Sequence, residues 1–322
     1  MEKIAKRVLR RLIKAELTED KLICQTNYGG NLIYSINYYN APNTLVELGR
    51  LREIAFRDAG GGTGKPIDLD EYDTTNPPFQ QLIVWDPSER EILSSYRYIF
   101  GKDIKIDNSG IHSPTAKLFQ FSDDFVKNYL PYSIELGRSF VQPQYQAANS
   151  RKGLFALDNV WDGLGMLIYS NPETKYIYGK MTMYKNYNKL ARDIILFFLN
   201  KHFSKGEKLM KAYKPLPYYH DESKLASLLP NDNFKDDYKS LVQEITKLEC
   251  KIPPLINIYM RVASTMQCFG TSDNEDFGET EETVILVKID DIYEDKKERH
   301  INPKTIKSFN DYKNLIFRKK QS

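Results

Sequence analysis

Apolar and polar positions repeat along this chain with two periods, and the switches between them describe a mixed α and β protein. The opening run MEKIAKRVLRRLIKAEL sets Ile4, Val8, Leu9, Leu12, Ile13 and Leu17 at helical spacing opposite Lys3, Lys6, Arg7, Arg10, Arg11 and Lys14. It predicts an amphipathic helix that either packs on its own domain with a solvated basic face or lies on an anionic membrane surface. A hairpin is expected around Asn27 to Asn31, then a helix over 44–57 with Leu45, Leu48, Leu51, Ile54 and Ala55 along one side. Strands follow at 80–85 and 92–100, joined by the turn DPSER. A polar connection over 107–114 leads to a short helical piece at 122–129 and a strand at 132–141. Next come a helix at 154–169, a strand at 176–184 and a strongly apolar helix at 189–203. Tyrosine and proline cluster near Tyr213 to Tyr219, which reads as a crossing or linker. A helix at 235–248, an apolar segment at 253–268, an acidic loop at 272–282 and a strand at 283–289 complete the pattern. Hairpins outnumber βαβ units, so the expected class is α+β, a mostly antiparallel mixed sheet flanked by helices.

With 322 residues the chain has material for one elaborated domain or two. The expected divisions are an N-terminal helix and hairpin at 1–43, a main domain at 44–290 and a polar extension at 291–322. Charge is nearly balanced, 46 basic against 43 acidic side chains, which argues against a nucleic-acid partner. The aromatic count, 22 Tyr and 16 Phe, points to half-buried surfaces and an apolar ligand groove. Cys24, Cys250 and Cys268 have no metal-ligand spacing, and His112, His202, His220 and His300 are scattered, so neither a disulfide framework nor a zinc site is expected. No apolar run reaches the roughly 18 to 20 residues that span a bilayer, and the N-terminus is unlike a secretory signal. The expected home is the cytoplasm, with peripheral contact at the inner membrane as the reach of the N-terminal helix.

Candidate chemistry concentrates in LREIAFRDAGGGTGKPIDLDEYD, Leu51 to Asp73. GGGTGK fails as a phosphate loop because Ala59 and Pro66 stand where that pattern needs Gly and Ser or Thr. Its glycines make either a mobile lid over a substrate or a plain connection. Asp68, Asp70 and Asp73 lack the later Gly and bidentate Glu of a calcium loop. A carboxylate such as Asp70 or Asp73 instead suits Arg52, Arg97 or Arg138, each costly to desolvate alone. In the 132–141 strand Glu135 and Arg138 point to opposite faces unless a bulge intervenes, for which Gly137 is the candidate.

The series Arg52-x3-Phe56, Asp70-x2-Asp73, Arg97, Glu135-x2-Arg138 resembles the acyl-homoserine-lactone synthases. The closer likeness is to their relatives, the haemolysin-like and ornithine or glycine N-acyltransferases that use acyl carrier protein, within the GCN5-related N-acetyltransferase (GNAT) superfamily. FALDNVWDGLG, KYIYGKMTMY, IPPLINIYMRV, NEDFG and TVILVKI extend it across 45–289. The resemblance implies the GNAT fold and transfer of a (3-hydroxy) fatty acyl group from a carrier-protein thioester to a small amino acid, glycine- or ornithine-like. It implies Glu135 and Arg138 as catalytic residues, with Glu135 as base or amine-orienting group and Arg138 and Arg97 holding a carboxylate or phosphate. Arg52 and Phe56 would shape the entrance, and Asp70 and Asp73 would fix the cations. The pyrophosphate loop Q/R-x-x-G-x-G/A is missing, and only Arg151, Lys152 and Gly153 offer donor contacts. That favours the phosphopantetheine of acyl carrier protein over coenzyme A, with no permanently bound cofactor and no metal. The glycine loop replaces the tryptophan of the lactone synthases, which counts against S-adenosylmethionine. Two alternatives stand beside this reading, an autoinducer-synthase-like signal synthase and a non-catalytic lipid-binding protein of the haemolysin type.

Overall fold

The computed structural model describes residues 1–146, 151–204, 206, 208–278 and 280–301, without the side chains of 151–154. Its elements run α1 (Arg10–Glu16), β1 (Leu22–Gln25), β2 (Leu32–Ile36), α2 (Pro42–Asp58), α3 (Glu71–Thr74), β3 (Gln80–Asp86) and β4 (Glu91–Phe100). Then come β5 (Ile106–Asp107), β6 (Gly110–Ile111), β7 (Phe119–Phe121), β8 (Ser133–Val141), α4 (Arg151–Ser170), β9 (Tyr176–Tyr184) and α5 (Lys189–Phe203). The last are β10 (Met210–Ala212), α6 (Glu222–Leu228), α7 (Phe234–Lys247), α8 (Pro254–Tyr259), β11 (Gln267–Asn274), β12 (Thr280–Lys288) and α9 (Glu294–His300). The chain divides into two compact units, Met1–Lys105 with Ile134–Lys175 and Tyr293–Ser322 in the first, Ile106–Ser133 with Tyr176–Ile292 in the second.

In the first unit the strands lie in the order β1-β2-β3-β4-β8, each pair antiparallel. Successive strand residues point to opposite faces, and the two faces carry different helices. Arg52 of α2 reaches Gln81, whereas Leu82 and Ile33 meet the α4 backbone at Gly163. Leu45, Leu48, Leu51, Ala55 and Phe56 of α2 are buried on one side, Ala156, Val160 and Leu164 of α4 on the other. Each such Leu contributes about 1.5–3 kcal/mol by leaving water. In the second unit β12 pairs antiparallel with β9 and with β11. Arg192 of α5 donates to Glu281 at 2.7 Å, and Asp193 accepts from the backbone N–H groups of Tyr219 and His220 at 2.7 and 2.9 Å. These bonds tie down the proline-tyrosine crossing. The architecture is α+β, with an antiparallel sheet and helices on its faces, as the hairpin pattern led us to expect.

Three local expectations are corrected. The N-terminal helix is confined to Arg10–Glu16. Residues 2–8 are held by other partners: Glu2 N–H donates to Gly64 O at 2.8 Å, Ala5 N–H to Pro66 O at 3.0 Å and Val8 N–H to Glu47 at 2.9 Å. Arg7 (2.7 Å) and Arg10 both pair with Glu91, so part of the basic face is engaged within the fold. Amphipathic spacing alone does not repay the cost of nucleating a helix against such contacts. The expected acidic loop is instead the closing end of the β11–β12 hairpin, since Ser272 to Asn274 and Thr280 to Glu282 are paired strand residues. The third correction concerns the glycine loop and belongs to the site.

Candidate active site

The last turn of α2 and the segment after it are organised by one carboxylate. Glu53, buried, accepts from Arg57 Nε (2.7 Å), Thr63 N–H (2.9 Å), Thr63 Oγ (2.8 Å) and Gly64 N–H (2.8 Å). Burial alone would raise its pKa, but these donors, led by the Thr63 backbone, hold it below the ordinary value. Gly62 has φ +93°, and a Cβ there would lie 3.1 Å from the Glu53 carboxylate. The glycine stretch is therefore a pinned turn rather than a mobile lid or a loose connection.

The chain then runs back along α2, where Asp68 N–H donates to Gly49 O at 2.9 Å and Leu69 fits the space a Cβ on Gly49 would take. This close approach buries Asp68 completely. Asp70 next caps α3: its side chain accepts from Tyr72 N–H at 3.0 Å, and Asp73 reciprocates by accepting Asp70 N–H at 3.1 Å. A capping box thus fixes the separation of two of the expected site carboxylates.

Three arginines from three elements meet these acids. Arg97 of β4 lies 2.5 Å from Asp70 and 3.3 Å from Asp73. Arg52 of α2 lies 3.3 Å from Asp73 and also donates to Gln81, which itself donates to Asp73 at 2.8 Å. Arg138 of β8 lies 2.9 Å from Asp68 and 3.5 Å from Asp70. The Arg138–Asp68 approach is an ion pair without hydrogen-bond alignment. Burial would raise the Asp70 pKa, yet Arg97 and then Arg138 hold it well below the usual carboxylate range. For Asp68 burial prevails over Arg138 and Arg52, and its pKa is raised. Desolvation works against the Arg97 cation, but Asp70 and Asp73 hold its pKa above the ordinary value. Asp70 and Arg138 keep side-chain exposures of 27% and 15%, whereas Arg52, Asp73 and Arg97 are sealed. Arg52, expected at the entrance, is therefore an internal support, and the solvent-facing edge belongs to Asp70 and Arg138.

The β4–β8 ladder contains the bulge on which the face of Arg138 depends. Ser95 pairs with Phe140 and Arg97 with Gly137, so β8 carries an extra residue between them. Arg138 takes it up with φ +50° and turns toward the aspartates. Glu135, Gly137 and Phe140 share the Arg97 face. Glu135 is buried. Tyr72, over whose ring the Arg97 guanidinium sits at 5.7 Å, has its hydroxyl pushed up to about 12 by burial and by Glu71 and Glu135, which places Glu135 within electrostatic reach of α3. Phe56 meets Phe140 edge-on at 6.4 Å. A Cβ on Gly137 would meet no heavy atom of the described residues within 4 Å, so open space among them lies over the strand between Glu135 and Arg138.

All seven residues expected on this face, Arg52, Phe56, Asp70, Asp73, Arg97, Glu135 and Arg138, thus surround one stretch of sheet. Of the expected donor contacts, Arg151, Lys152 and Gly153 open α4, but their side chains lie outside the described residues. Asp68 and Gln81 were missed in composing the site. The signal for Gln81 was a second polar residue at the head of the apolar strand QQLIVW.

Comparison with known proteins shows the family. A family model described as an acetyltransferase (GNAT) domain matches residues 51–156, which span the run from Arg52 to Arg138. A glycine N(alpha)-acyltransferase of Bacteroides thetaiotaomicron is 52% identical over 303 residues, 94% of this chain and 90% of that protein. The chain belongs to the glycine N(alpha)-acyltransferase family. A second relative of the same name, from Phocaeicola vulgatus, is 51% identical over 94% of this chain and 93% of its own length. A solved CoA-dependent acyl-homoserine lactone synthase, with S-adenosylmethionine and isopentyl-CoA, is similar over 87% of this chain and 93% of that one, at 10% identity and a TM-score of 0.37. As a member of the glycine N(alpha)-acyltransferase family the chain is an N-acyltransferase that takes an acyl donor and an amino-acid acceptor. Among the described residues no helix is long and apolar enough to cross a membrane.

Proposed function

We propose that the chain transfers a (3-hydroxy) fatty acyl group from the phosphopantetheine thioester of acyl carrier protein to the amine of glycine, forming an N-acyl amino acid. The observation that carries this reading is the open space over Gly137, bounded by a carboxylate at Glu135 and a cation at Arg138. The glycine carboxylate pairs with Arg138, whose exposed edge faces solvent, while Arg97 stays locked to Asp70 and Asp73. Glu135 orients the neutral amine and takes its proton. The amine nitrogen attacks the thioester carbon, a C–N bond forms, and the carbonyl electron pair moves onto oxygen. Collapse of that intermediate breaks the C–S bond and releases the pantetheine sulfur, which receives the proton from Glu135. General-base help of this kind is worth about 10² to 10⁴ in rate.

Acyl carrier protein is favoured over coenzyme A because the chain has no Q/R-x-x-G-x-G/A loop after β8. Glycine as acceptor follows the names of the relatives. The N-terminal arm keeps Leu9, Leu12, Lys6, Arg11 and Lys14 exposed, a mixed apolar and basic surface suited to peripheral contact with an anionic bilayer. The test is an assay of purified protein with acyl carrier protein and coenzyme A thioesters of the same chain, each against glycine, ornithine and alanine. Acyl glycine formed faster from the carrier-protein donor is the expected result; equal or faster use of the coenzyme A thioester would overturn the donor assignment.

A further inference from the structure

Several buried polar atoms of the reaction face have no hydrogen-bond partner among the described residues: Arg52 Nε, Arg97 Nε, both carboxylate oxygens of Asp68, and Ser95 Oγ. The first three groups belong to residues whose charge is matched by a neighbouring ion. Ser95 has no such match. It is completely buried in the middle of β4, where a hydroxyl without a partner bears the desolvation of its polar group with nothing in return.

Its neighbour supplies an internal control. Ser94, equally buried, points to the opposite face and donates to Ala156 O at 2.7 Å, so it holds α4 to the sheet. Ser95 points to the face of Arg97 and Glu135, two residues from Arg97 along β4 and directly across from Phe140. Between those two pairings the ladder is broken by the bulge at Arg138, and the open space over Gly137 lies beside the break.

We propose that the Ser95 hydroxyl donates a hydrogen bond to the carbonyl oxygen of the bound thioester and stabilises the oxyanion formed on attack. This rests on the acyl-transfer reading above. Ser95 keeps its proton throughout; the carbonyl pair moves onto oxygen, the hydrogen bond strengthens, and the pair returns as the C–S bond breaks. A donor that strengthens only at that stage acts on kcat rather than on acceptor binding.

Steady-state kinetics of Ser95→Ala and Ser95→Cys with acyl carrier protein thioester and glycine test it, alongside thermal melting. Ser95→Ala is expected to lower kcat about 10²- to 10³-fold with KM for glycine within about twofold, and to melt no lower than the parent. Ser95→Cys, nearly isosteric with a weak donor, should fall between the two. A Ser95→Ala kcat within about twofold of the parent, or a loss confined to KM for glycine, would overturn the assignment while leaving acyl transfer intact. Failure of the unsubstituted protein to acylate glycine from the thioester would instead overturn the parent reading.

Discussion

Two polar clusters sit on opposite faces of the same run of strands, β1-β2-β3-β4-β8, and they are built differently. On the α4 face Asp162 accepts from Asn27 N–H (2.9 Å), Asn27 Nδ2 (2.8 Å) and pairs with His300 Nδ1 (2.8 Å), while Arg299 pairs with Asp158 and Asn27 Nδ2 also donates to Arg299 O. Both Asp162 oxygens are used, and Gly165 lets the α9 backbone come so close that a Cβ would sit 1.7 Å from His300 O. On the α2 face the ions are matched, yet a serine hydroxyl and several nitrogens and oxygens have no hydrogen-bond partner among the described residues. The Asp162 carboxylate acts as a clamp, since both its oxygens already have partners, although Asn159 beside it on α4 keeps a buried amide with no partner among the described residues. On the α2 face the unpartnered Ser95 hydroxyl is the group that the proposed substrate would complete.

The largest effect should come where the open space is addressed directly. Glu135→Gln keeps the volume and removes the proposed base, so transfer should drop about 10² to 10⁴-fold while the protein stays folded; wild-type rates would take Glu135 out of the chemistry. The clamp should respond oppositely. Gly165→Ala drives a methyl into the His300 carbonyl, and overpacking of this kind costs about 1–3 kcal/mol, read by urea unfolding, with kcat for the folded fraction unchanged. A parallel fall in kcat would mean that the two faces are not independent.

Much of this was legible in the chain. Helix α2, strands β3, β4 and β9 and helix α5 lie within about two residues of their periodic signals. The seven charged and aromatic residues of the α2 face converge although they come from one helix, one capped turn and two strands. What the periodicity hid were contacts made at a distance. Residues 2–8 look helical but bond to 64–66 and Glu47, and Glu53 converts a flexible-looking glycine run into a fixed turn. Gly137 hinted at the bulge, but the left-handed residue is Arg138, a position no local rule favours. Nor does Ser-Ser inside an apolar strand say which hydroxyl has a partner; only the register and α4 decide that.

A smaller effect should follow from filling the open space without touching an ion. Gly137→Val, whose Cβ meets nothing among the described residues within 4 Å, should leave unfolding unchanged and lower transfer about 10²-fold by displacing the reacting groups. An active Gly137→Val protein would place the substrate elsewhere.

The smallest effect separates two carboxylates of the same network by sign. Asp70 is held low by Arg97 and Arg138, so its contribution to stability is present above about pH 4 and is lost only as pH falls into strong acid. Asp68 is the reverse: its folded-state pKa lies above the unfolded value of about 3.9, so its contribution is full below that pH and declines as pH rises through the folded pKa. The slope from one such proton is at most about 1.4 kcal/mol per pH unit. Asp68→Asn cannot titrate, so between pH 4 and neutrality the parent should lose stability relative to the variant, measured by urea unfolding at unit steps. Parallel curves would show that Asp68 ionises as it does in the unfolded chain.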